Sequence, residues 1–187
     1  MPKFSLSWLR STIAPRPVAN QILSERLPLQ DGERLSSDLA NLATQFWFAN
    51  RLQDGPPEWS CFFPEKHPEL LANLVLYERI NGSRYRTRLV GDAVVDHLPV
   101  NPVGKYLDEV IPEERFRDVS MRLDRALTDG LPNYVEKAKV WRHSGSVFDY
   151  NALSMPFLSR ETGAERVLCV LEFKFQELER WNSLVRS

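Results

Sequence analysis

The spacing of apolar residues changes period several times along the chain, and each change marks an element. From Arg84 the run RYRTRLV sets Tyr85, Thr87 and Leu89 against Arg84, Arg86 and Arg88, the two-residue period of a half-buried strand. Leu74-Val75-Leu76-Tyr77 forms an earlier apolar run, and the Asn81-Gly82 step between the two predicts a hairpin. After Gly91, Val94, Val95 and Leu98 fall at helical spacing, as do Tyr106, Leu107, Val110 and Ile111 beyond a connector carrying Pro99 and Pro102. Phe116, Val119, Leu123, Ala126 and Leu127 give one face of a longer helix, which Pro112 opens and Gly130 with Pro132 closes.

Strands at 134–141, 147–157 and 167–175 follow, separated by turns at Ser144-Gly145 and 159–166; the last is almost wholly apolar and is expected to be central. Two further helices flank this region. Leu35, Leu39, Leu42, Phe46 and Ala49 recur in steps of four and three, a seam suited to packing on another helix, and Leu178, Trp181 and Leu184 share a face near the C-terminus. Strands on both sides of a helical insertion predict an α+β fold with an antiparallel sheet. The chain divides into an N-terminal arm and helix (1–55), a proline-rich linker (56–69) anchored by Trp59, Phe62 and Phe63, the sheet domain (70–175) and a C-terminal helix (176–187). Residues 1–30, with Pro2, Pro15, Pro17 and Pro28, read as an irregular arm.

Gly104 followed by Lys105, Leu107 and Ile111-Pro112-Glu113-Glu114 resembles the G-basic…I-x-P-E segment of PAS domains, and the flanking RLVGDAVVDHL is similar to that of short, stand-alone bacterial PAS-like proteins. The resemblance spans residues 70–175. It implies a five-stranded antiparallel sheet with helices on one face, here carrying an N-terminal helical extension, and a sensory or interaction module for signal transduction. Such a module binds a small ligand in an apolar cavity and acts on a partner protein in trans. Haem-binding members take a histidine from the long helix, and residues 113–129 contain none; flavin photosensors need a helical asparagine-cysteine motif, and the two cysteines stand at positions 61 and 169. The cofactor is left open.

Composition narrows the function further. The 187 residues are 43% hydrophobic and 26% charged, ordinary for a globular protein. Lys plus Arg total 24 against 25 for Asp plus Glu, a net charge of −1 that offers no field for a nucleic acid. No apolar run reaches the ~18 residues of a membrane span, so a cytoplasmic protein is expected. Cys61 and Cys169 read as free thiols, His67 and His143 as solvated, and His97 as structural or solvated; none of the histidines has metal-ligand spacing. The arginine stripe at 84, 86 and 88 reads as an exposed face met by acidic residues of the same chain. An enzyme using a buried Asp92 or Asp96 as base, or an assembly protein without ligand, are the competing readings, and the leading expectation is a protein that is not an enzyme.

Two short helices broken by prolines and a glycine seal a sheet face less tightly than one long helix. A ligand cavity is therefore expected between sheet and helices, walled by Val94, Leu98, Tyr106, Val110 and Phe116 with aromatic residues drawn from Tyr134, Trp141, Phe148, Tyr150 and Phe173. The seam of Leu35, Leu39, Leu42, Phe46, Trp47 and Ala49 is expected to join two copies in a homodimer.

Overall fold

The structure, a computed structural model, describes residues 21–98, 100–111, 113–141 and 147–174, without the side chains of 21–23, 114, 138–141, 147, 148 and 174. The expected C-terminal helix, most of the N-terminal arm, His143, Pro99 and Pro112 lie outside this description.

Among the described residues the fold is α+β. Its strands are β1 (Gln21–Arg26), β2 (Leu74–Ile80), β3 (Arg84–Val90), β4 (Asn133–Trp141), β5 (Val147–Leu158) and β6 (Glu165–Lys174), and its helices α1 (Asp38–Ala49), α2 (Pro68–Leu71), α3 (Asp92–Val95), α4 (Leu107–Val110) and α5 (Glu113–Asp129). One open sheet runs β1-β4-β5-β6-β2-β3, every neighbouring pair antiparallel.

The sheet has six strands where the resemblance implied five. The added strand, β1, comes from the part of the sequence read as an irregular arm, and it pairs with β4 through a register shift between Ile22 and Ser24. QILSER has no alternation to betray it; its pairing partner supplies the order. The β2–β3 hairpin turns where Asn81 (φ 52°) and Gly82 (φ 71°) both adopt left-handed backbone, as a type I′ turn requires. β6 is buried along Val167, Leu168, Cys169 and Val170, so both of its faces are covered.

Helices lie on both faces rather than one. Leu74, Leu76, Leu153, Met155, Phe157, Leu168 and Val170 meet α1 through Ala40, Ala43 and Trp47, whereas Val75, Val167 and Cys169 meet Val94, Leu107, Leu123 and Ala126 of α3, α4 and α5. Ser37 caps α1, its Oγ accepting the Ala40 N–H at 3.0 Å. Trp47, fully buried, donates Nε1–H to the Pro156 carbonyl at 2.7 Å. This geometry corrects the expected dimer seam: Leu35 and Trp47 lie in the chain's own core, and Leu39, Leu42 and Phe46 pack against it, leaving Ala49 exposed. A seam is blind to its partner, and here the partner is the chain's own sheet.

The segment between α1 and α2 is stitched to β5. The Leu158 N–H donates to the Pro57 carbonyl at 3.1 Å, and Trp59 meets Phe157 edge-on at 5.6 Å. His67 stacks on Phe62 with ring planes 6° apart, so it is packed rather than solvated.

Gly91 joins β3 to α3 for a steric reason. A Cβ there would stand 2.1 Å from the Leu71 carbonyl oxygen, because the Gly91 N–H donates to Leu74 O at 2.8 Å and draws the two segments together. The 100–106 connector then returns along β3, with Gly104 N–H donating to Thr87 O at 2.8 Å and Thr87 N–H to Lys105 O at 2.9 Å. This covers an edge strand that would otherwise present unpaired backbone groups.

Candidate functional site

Three cross-strand rows make the floor of the site. Lys137 opposes Tyr150 and Val135 opposes Ala152, and the rows continue from Tyr150 to Phe173, Ala152 to Leu171 and Ser154 to Cys169 on β6. Side chains two residues apart share a face, so these residues point together toward α3, α4 and α5. α3 and α4 have four residues each and leave a gap over the floor. The result is a cavity of about 90 Å³ lined by apolar residues including Val94, Leu98, Leu107, Val119, Leu123 and Leu171, with Tyr77, His97, Arg115, Arg122, Tyr150, Ser154 and Cys169 as its polar members. That volume admits a molecule of roughly six to nine heavy atoms, at about 10–15 Å³ for each.

Two of the polar members, Arg115 and Arg122, arise from a repeat on α5. Arg115, Val119, Arg122 and Ala126 follow steps of four, three and four, which keeps them on one helix face. Arg122 is 6% exposed, and its buried Nη1 has no hydrogen-bond partner. Asn133 holds this turn of the helix against β4 by donating Nδ2–H to the Arg122 carbonyl at 2.9 Å. The Arg115 guanidinium lies 6.0 Å from the centre of the Tyr150 ring. Lys137, whose side chain is 1% exposed, pairs with Asp118.

These cations govern the tyrosine between them. Burial pushes the Tyr150 phenol up, but Arg122, Lys137 and Arg115 together outweigh burial and bring its pKa below the ordinary value. Burial likewise depresses the Lys137 ammonium, with Tyr150 working in the opposite sense. Elsewhere in the cavity, desolvation raises the Tyr77 phenol and carries the Cys169 thiol up to about 11. The Cys169 Sγ–H points to Ser154 Oγ at 3.6 Å, and both cysteines are free thiols. His97 stacks on Phe173 at 3.9 Å, with Nδ1 2.7 Å from the Ala93 carbonyl. Neither protein-family models nor curated proteins match the sequence.

Of the residues expected in the cavity, Val94, Leu98, Tyr150 and Phe173 line it. Tyr134, Tyr106, Val110 and Phe116 lie elsewhere. Tyr134 belongs to the opposite face, buried with α1 and within 2.9 Å of Ser36 Oγ, because it is one strand position out of phase with Val135 and Lys137. Tyr106 lies outside the cavity beneath Arg84, whose guanidinium is 3.7 Å from the ring centre. Val110 is buried in α4 and Phe116 packs at the margin of the helical cluster; neither lines the cavity. Trp141 and Phe148 have side chains outside the described set. Arg115 and Arg122 are charged, so an apolar stripe does not single them out; their seven-residue spacing on the inward face of α5 is the signal that marks them.

The remaining charged candidates have structural partners. Arg84 pairs with Asp108 at 2.9 Å and Arg88 with Glu78 at 2.6 Å, while Arg86 Nε–H donates to the Gly104 carbonyl at 2.9 Å. The arginine stripe is met by this chain's own acceptors. Asp92 and Asp96 are exposed, which removes the burial that the enzyme reading required of its base. Among the described residues, no helix is long and apolar enough to cross a membrane, and no group of three or more His, Cys, Asp and Glu is placed to hold a metal ion.

Proposed function

We propose that this chain is a PAS-like sensory and interaction module that takes up a small ligand reversibly, without transforming it, and acts on a partner protein in trans. The observation that carries the reading is the cavity between the β4–β5–β6 floor and the short helices α3 and α4. Its position beneath the segment that resembles PAS domains supports it, as does a wall that is mostly apolar with a few convergent polar groups, the usual make-up of a small-molecule site. Burying the Arg122 guanidinium without a partner for Nη1 opposes folding by an amount on the order of several kcal/mol; a ligand that fills the cavity offsets that cost.

Signalling follows from the same geometry. α3 and α4 are joined to the sheet domain by a connector hydrogen-bonded at Thr87, so a ligand that fits one packing of these helices better than another shifts the population between them. The shift is bounded by the ligand's differential affinity for the two arrangements.

Native mass spectrometry of the full chain as purified, paired with a thermal-shift screen of small metabolites, tests the reading. Retention of a molecule of cavity size, or a shift that saturates with one compound class, is the expected result. A ligand at a hundred times its Kd stabilises by about 2.7 kcal/mol. No retained mass and no shift with any compound would overturn the sensory reading in favour of an assembly protein.

A further inference from the structure

We infer that the ligand of this cavity is a small carboxylate, its head seated against Arg122 and its apolar body lying along Leu171 and Phe173 beneath α3. The inference rests on the sensory reading above and deepens it by naming the chemistry of the ligand.

The decisive group is Arg122. It is 6% exposed, lines the cavity and keeps Nη1 buried with no acceptor. A buried donor of this kind ordinarily has a partner in the native state. Among the described residues the acidic side chains do not supply one: Asp118 is committed to Lys137, Asp124 accepts from Tyr85 Oη at 2.5 Å, and Arg125 reaches Asp129 at 3.8 Å. The acceptor that is missing therefore has to come from within the cavity.

The surroundings of Nη1 select the kind of acceptor. Arg115 stands one seven-residue step earlier on the same face of α5 and reaches over the Tyr150 ring, adding a second positive charge. Tyr150 and Ser154 bring hydroxyls to the same floor. A guanidinium N–H donates more strongly to a charged carboxylate oxygen than to a neutral acceptor. The hydroxyls of Tyr77, Tyr150 and Ser154 join one unpartnered guanidinium nitrogen, and a single free cationic nitrogen suits a singly charged group better than a phosphate with its three strongly accepting oxygens. Away from this corner the wall is apolar, formed by Val94, Leu98, Leu107 and Leu123, so the body of the ligand is hydrocarbon. A cavity of about 90 Å³ limits it to a short aliphatic chain or a single ring.

Isothermal titration of the full-length chain with hexanoate and benzoate, each compared with its neutral amide, reads the inference directly. The acids are expected to bind at least ten-fold more tightly than hexanamide and benzamide. Arg122→Met should abolish that preference while leaving the affinity for the amides in place, and Arg122→Lys should restore part of it. The ligand-free melting temperature of Arg122→Met should equal or exceed that of the parent, because an apolar side chain replaces a buried cation that keeps one donor unmet; a marked fall would show Arg122 to be a structural residue. Equal binding of acids and amides overturns the carboxylate assignment and leaves the cavity reading intact, and this comparison stands on the parent protein even if Arg122→Met does not fold. Binding of neither acids nor amides, with no retained molecule in native mass spectrometry, overturns both.

Discussion

Lys137 of β4 stands directly opposite Tyr150 of β5, placing an ammonium against a phenol on the face of the sheet that α5 covers. Both are almost inaccessible to solvent. A pair of this kind is costly to bury and is tolerable only where each group answers to charges around it. Arg122 and Arg115 complete that environment for Tyr150.

The phenol titration should show it. Tyr150 is expected to ionise below the ordinary value of 10.0, whereas Tyr77, Tyr85 and Tyr134 ionise above it. Phenolate absorbance should therefore rise in a first step that Tyr150→Phe abolishes. Because the folded pKa is depressed, the unfolded chain holds more protons between that pKa and 10.0, so stability from this group grows as pH rises through the window. It is lost as pH falls through the folded pKa. Arg122→Met should move the step upward, since burial then weighs more heavily; an unmoved step would separate Arg122 from Tyr150.

Trp47 should be the most sensitive position on α1. Trp47→Ala empties a site that is fully buried and is expected to cost about 3–5 kcal/mol in denaturant unfolding. Trp47→Phe keeps much of the volume but strips the Pro156 carbonyl of its donor, at about 1–3 kcal/mol.

Gly91→Ala should destabilise the chain by about 1–3 kcal/mol, the cost of overpacking, because the new methyl meets the Leu71 carbonyl. Backbone torsion is not the cause, as Gly91 has φ −81°. Gly104→Ala should also be unfavourable but through its positive φ of 80°, with open space around the methyl.

A chain beginning at residue 56 should lose its native tertiary packing. It lacks both β1 and α1, and it exposes the apolar face that carries Leu153, Met155 and Phe157. Near-ultraviolet circular dichroism and light scattering would reveal a loosened or aggregated species; a folded monomer would contradict the role assigned to α1.

The β2–β3 hairpin was legible in the sequence because Asn81-Gly82 supports one kind of turn, and α5 because its apolar positions repeat over several turns. β1 was not, since QILSER acquires its order from pairing with β4 and carries no periodicity of its own. The apolar stripe of α1 was visible, but a stripe does not say whether its partner is a second copy or the chain's own sheet. In the cavity, Tyr134 and Tyr150 looked equivalent as aromatic strand residues; their opposite faces depend on strand phase, which emerges only from cross-strand register.

The cavity itself is tested most directly by methyl NMR of the full-length protein titrated with hexanoate. Saturable shifts are expected at Val94, Leu98, Val119 and Leu171, which line the cavity, with Leu29, Leu35 and Leu153 on the α1 side unmoved. Shifts confined to the α1 side, or lining methyls unmoved at saturating hexanoate while the same ligand binds elsewhere, would contradict a ligand site in the cavity.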